Sequence, residues 1–179
     1  MKTHSPVEIS KSGDEAYQAG KYSDAADHFE VAAHAYAAQN DELNAAEMRN
    51  NQSVALLRAG DAKRAFESAK DTETIFEVAG DIRRQAMAVG NIAAAQDALW
   101  QLEAAEEAYQ RSADLFSQIG EDDLRANVMQ SLSQLQLRSG RQLEALATMQ
   151  SGMQDIKRPN LRQRLLRRLL KTPFKFLDR

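Results

Sequence analysis

The 179-residue chain contains no cysteine, which excludes disulfides, zinc–thiolate sites, thiolate catalysis and redox switching, and allows a reducing compartment. Proline is nearly as scarce: Pro6, Pro159 and Pro173 are all there are. Nothing between residues 7 and 158 is therefore interrupted by the strongest helix breaker. No apolar run reaches the roughly 18 residues that a membrane-spanning helix needs, and Met1 to Lys11 has no stretch of secretory-signal type. These absences, with no strand-like alternation, predict an all-helical, cytoplasmic protein with one well-buried domain.

Catalytic signatures are missing too. There is no Gly-rich phosphate loop, no HExxH and no nucleophile elbow. His28 and His34 are six positions apart, about 240° around a helix, and cannot share one ion. Asp24 with His28, and Glu30 with His34, have the i, i+4 spacing of surface contacts. Glu106-Glu107 and Asp122-Asp123 read as solvated helix faces. No catalytic activity, metal or cofactor is expected.

What the chain does have is a split in charge. Residues 1–156 carry 14 Lys or Arg against 25 Asp or Glu, a net −11, whereas 157–179 carry nine against one, a net +8. Such a segment has its own partner: an anionic lipid surface, nucleic acid, an acidic protein, or the acidic body itself.

The chain also repeats, with a period of about 40 residues, in the range of helical-repeat arrays. Gly20, Gly60 and Gly140 stand in register, with Trp100 in the third slot. Ala25, Ala65, Ala105 and Ala145 follow five positions later. Gly13, Ser53, Ala93 and Ser133 form a small-residue column, and Tyr36, Phe76, Phe116 and Ile156 a large one. Each unit reads as two helices that open on acidic residues and close on a glycine able to adopt positive φ. The predicted helices span 6–19 and 22–38, 42–59 and 62–79, 82–98 and 101–118, and 122–139 and 142–157. Ser5-Pro6-Val7-Glu8 has the form of a capping box with proline at the first helical position. Small residues in both helices let the backbones approach where they cross, as at Ser53 with Ala65 or Ala93 with Ala105.

The order of large apolar, small, glycine, alanine, aromatic and small in Ile9, Gly13, Gly20, Ala25, Phe29 and Ala32 resembles the tetratricopeptide repeat (TPR), and Val89, Ala93, Ala105, Tyr109 and Ser112 repeat it in the third unit. The resemblance covers about 5–157 as four repeats (5–40, 41–80, 81–120 and 121–157). The period is longer than that of the ordinary TPR and is similar to that of kinesin light chains and spindle-orientation adaptors. A HEAT or armadillo array, whose period is closer to this one, is the alternative. Trp100 at a turn-glycine slot, and Gln96 and Gln136 at apolar slots, predict less regular packing in repeats three and four.

The resemblance implies an all-α, right-handed α-solenoid of four TPR-like helix pairs plus a C-terminal capping helix. It further implies a protein-interaction scaffold or adaptor that takes a peptide segment of a partner in the concave groove lined by the first helix of each pair. Groove positions in repeat two include Asn50, Asn51, Val54, Leu57 and Arg58. In repeat three they include Met87, Gly90, Asn91, Ala94 and Asp97, and in repeat four Asn127, Gln130, Gln134 and Arg138. Asn51 and Asn91 share one repeat position, where a carboxamide offers an extended peptide backbone both donor and acceptor. Arg58 and Arg138 could hold a carboxylate or simply answer a helix dipole.

The tail, 158–179, reads as a short helix from Leu161. Leu165, Leu166, Leu169 and Leu170 fall on one face and Arg164, Arg167, Arg168 and Lys171 on the other. The leucines suit a cap on the last repeat. The basic face, with Phe174 and Phe176 beyond it, suits an anionic membrane surface, so a peripheral membrane tether is the alternative function. Nucleic acid is disfavoured by the acidic body.

Overall fold

The computed structural model describes residues 5–154 together with Arg164; within these the regular elements are α-helices, with no strand. They are α1 (Pro6–Gln18), α2 (Tyr22–Ala37), α3 (Glu42–Ala59), α4 (Ala62–Ala69), α5 (Thr72–Val78), α6 (Ile82–Ala98), α7 (Leu102–Gln118), α8 (Asp122–Arg138) and α9 (Gln142–Gln154). No helix among the described residues is long and apolar enough to cross a membrane.

Local chemistry sets the helix ends. At the start of α1 the Ser5 hydroxyl accepts the Glu8 backbone N–H at 3.3 Å and the Glu8 carboxylate accepts the Ser5 N–H at 2.9 Å, completing the expected capping box. The turns recur at half the sequence period. Positions 20, 40, 60, 80, 100, 120 and 140 all adopt the left-handed conformation. The N–H of the next residue in each case donates to the carbonyl five positions back, as from Asp41 to Tyr36 (3.0 Å), Asp81 to Phe76 (2.9 Å) and Arg141 to Gln136 (2.9 Å). With the bond from the left-handed residue's own N–H to the carbonyl three positions back, this double closure is a Schellman motif. Trp100 corrects the expectation of irregularity at this joint: at φ 60° it makes the same turn as the glycines, its N–H reaching the Asp97 carbonyl at 3.1 Å. Directly after the left-handed residue, Asp41, Asp61 and Asp81 each cap the following helix by accepting the backbone N–H three positions on.

One expected helix is broken. The span 62–79 is interrupted at Lys70 and Asp71, between α4 and α5. The buried Thr72 hydroxyl lies 2.7 Å from the Ala69 carbonyl and 3.0 Å from the Asn50 side-chain oxygen, holding the second segment to α3.

Two compact units divide within α7, the first ending at Ala108 and the second beginning at Tyr109. In the first, α2 packs against both α1 and α3, burying Phe29, Met48 and Leu56 among Ala25, Ala32, Ala55 and Ala65. A second cluster joins Phe76 to Ala46 and Ala88. Over it the Arg84 guanidinium lies 5.3 Å from the Phe76 ring centre. It donates to Asp81 at 2.6 Å and to Glu47 on α3 at 3.2 Å. The backbone N–H of Arg84 is the main reason that the Asp81 carboxyl titrates below its ordinary range, with the Arg84 side chain adding to it. In the second unit α8 and α9 pack closely. Ser133 donates to the Ala145 carbonyl at 2.8 Å, and Gly152 is so near that a Cβ there would sit 2.6 Å from Met129 Cβ.

The small-residue columns mark helix contacts. Ala25, Ala65, Ala105 and Ala145 are all buried, as are Ser53, Ala93 and Ser133, and a Cβ on Gly13 would meet the Phe29 ring at 2.7 Å.

Candidate functional site

On α3 the residues expected to face the groove separate into two groups. Asn50 is only 6 % exposed, and its side-chain oxygen faces the Thr72 hydroxyl at 3.0 Å. This corrects its assignment to the groove, because a carboxamide engaged inside the helix packing is closed to an incoming peptide. Asn51 and Val54, half-buried, instead line an open cleft with Asp14 and Tyr17 of α1 and Phe29 of α2. Tyr17 stands edge-on to Tyr22, ring centres 5.3 Å apart, which fixes one wall. Leu57 packs partly into the core below, and Arg58 is exposed in the last turn of α3.

On α6, Met87 is exposed, with the Arg83 guanidinium 3.8 Å from its sulfur. Gly90, Asn91, Ala94 and Asp97 are half-buried along the same helix. Asn91 keeps the register of Asn51 one full period later. In the second unit, Asn127, Gln130, Gln134 and Arg138 all stand exposed on α8. Among the described residues no group of three or more His, Asp or Glu is placed to hold a metal.

A family model described as soluble NSF attachment protein, SNAP, matches residues 6–174. The chain belongs to the SNAP family. Among curated proteins, none matches it. SNAP proteins are α-helical, solenoid-like and TPR-like, and they act as non-catalytic adaptors that bind protein partners. Membership replaces the expected kinship with kinesin light chains and spindle-orientation adaptors; the TPR-like helical repeat stands.

For this SNAP-family chain the sequence reading of the groove left out the first repeat. Asp14 and Tyr17, which line the cleft beside Asn51, occupy the same repeat positions as Val54 and Leu57. Extending the register by one unit toward the N-terminus would have found both. Of the tail residues, Arg164 is helical and exposed, while Arg167, Arg168, Lys171, Phe174 and Phe176 lie outside the described residues.

Proposed function

We propose that the chain is an adaptor that holds an extended segment of a protein partner along the first helices of its N-terminal unit, without a catalytic step. The observation that carries this reading is the cleft in which the half-buried Asn51 carboxamide lies between the apolar Val54 and the aromatic Tyr17 and Phe29. A carboxamide there offers both donor and acceptor to a peptide backbone, while the aromatic and aliphatic walls accept side chains. Asn91 repeats the group one period on. The SNAP family name describes attachment to NSF, and the adaptor role is what carries over to this chain.

The excess of cations in 157–179 favours a second role, attachment to the anionic surface of a membrane from the cytoplasmic side. One experiment separates the two: capture of partners, and flotation with anionic or neutral liposomes, by wild type, by Asn51→Ala with Asn91→Ala, and by Arg164, Arg167 and Arg168 changed to Gln. Loss of partners from the asparagine variant with unchanged helicity supports the groove; unchanged capture removes it. Equal flotation on both lipids removes the tether.

A further inference from the structure

A second cleft lies on roughly the opposite side of α3 from Asn51 and Val54, since Arg49 and Gln52 sit far around the helix from them at about 100° per residue. It has a volume of about 150 Å³ and is bounded by α2, α3 and α4. Ala33 and Ala45, both buried, contribute to its lining, and their small side chains leave the room. His34 and Ser68 stand at its walls. Glu30, also in the lining, is already engaged: its carboxylate accepts from Gln52 at 3.1 Å and from Arg64 at 3.3 Å.

Arg49 is different. Its Nε is buried and meets no acceptor within the protein, and its Nη2 lies 3.8 Å from the Glu42 carboxylate, too far for a hydrogen bond. The guanidinium holds its donors in one plane, and the Nε–H with a neighbouring Nη–H forms a fork matched to the two oxygens of a carboxylate. The Arg49 side chain as a whole is 35 % exposed, so a small turn of the guanidinium presents this unanswered N–H to an acceptor entering the cleft.

We propose that this cleft binds a single carboxylate group, anchored through the Arg49 fork, with its short apolar stem over Ala33 and Ala45 and with His34 and Ser68 as flanking polar groups. A monoanion fits better than a phosphate dianion because Glu30 and Glu42 stand close by and repel a second negative charge. The same carboxylate chemistry could come from a small organic acid or from an acidic side chain of a protein. The inference is independent of the groove, because it uses neither Asn51 nor Asn91.

The test is an amide-resolved NMR titration of the full chain with propionate, with the peptide acetyl-Ala-Ala-Glu-Ala-Ala-amide, and with the same peptide carrying Gln. Saturable shifts at Ala33, Ala45 and Arg49 are expected, with affinity at least tenfold weaker in Arg49→Gln. Arg49→Lys, which keeps the charge and loses the fork, should also bind severalfold more weakly. Lys63→Gln, an exposed cation outside the cleft, should match wild type. Tighter binding of the Glu peptide than of propionate assigns the site to protein carboxylates, and the reverse to small acids. Absence of saturation with both, equal affinity in Arg49→Gln or Arg49→Lys, or binding of the Gln peptide as tight as that of the better of the two carboxylates would overturn the proposal.

Discussion

A methyl group placed on Gly13 would arrive 2.7 Å from Phe29 Cε1, 2.9 Å from Cδ1 and 3.1 Å from Cζ. Unstrained carbon contacts lie at roughly 3.5–4.0 Å, so the ring would have to retreat by most of an ångström. It has little freedom to do so, because Phe29 is 3 % exposed and shares its core with Ala25, Ala32 and Leu56. Overpacking of this kind costs roughly 1–3 kcal/mol. Against it stands the helix preference for Ala over Gly, about 1 kcal/mol. Gly13→Ala should therefore destabilise by about 1 kcal/mol. In a Phe29→Leu background the obstructing ring is gone, and the helix preference is left to act alone. There Gly13→Ala should stabilise, by about 1 kcal/mol. Urea denaturation of wild type, both single variants and the double variant, followed by far-UV circular dichroism, measures the cycle. Additive effects within about 0.5 kcal/mol, or a Gly13→Ala effect of the same sign in both backgrounds, would refute the close crossing of α1 and α2.

Trp100 occupies a left-handed turn at φ 60° while 75 % exposed. Such backbone costs a side-chain-bearing residue on the order of 1–2 kcal/mol, and the exposed ring recovers little of it by burial. Trp100→Gly should therefore melt higher than Trp100→Ala by about 2–8 °C; a lower melting temperature for the glycine variant would contradict this. The lowered Asp81 pKa means that its contribution is fully present above the unfolded carboxyl pKa of about 3.9 and is lost as pH falls through the still lower folded value. Asp81→Asn, which keeps a capping oxygen but removes the charge, should cost roughly 0.5–1 kcal/mol at neutral pH. That gap should close as the pH is taken below about 4. Thermal melts across the acid range check it, and a constant gap would sink the assignment.

Sequence-legible features are those whose cause is local. The Ser5–Glu8 capping box and the glycine stops sit close along the chain to the bonds they make, and the observed ends of α2, α3, α6 and α8 fall within one position of those expected. Turn positions were legible too: the unit ends expected at 40, 80 and 120 carry the same left-handed turn as positions 20, 60, 100 and 140. Non-local partners account for the misses. Asn50 and Asn51 are identical side chains next to each other, about 100° apart around α3; Asn50 shares the face of the buried Ala46 and Ser53 and meets the Thr72 hydroxyl of another helix, while Asn51 does not. The same threonine coincides with the break after Ala69, which no proline or glycine announces. Arg49 gave no signal, since an unanswered donor is a property of its surroundings and not of its spelling.

The identity of the joints has a bearing on how such a chain could lengthen. Because within-pair and between-pair corners are built alike, a single duplicated helix with its corner would meet no geometric obstacle at either splice. Its penalty would fall on the packing instead: every downstream helix would take the post of its successor, bringing Gln85 to the place of the buried Ala105 and Arg125 to that of the buried Ala145. Growth in steps of two helices is thus enforced by what lies between the corners, and the corners themselves are indifferent to it.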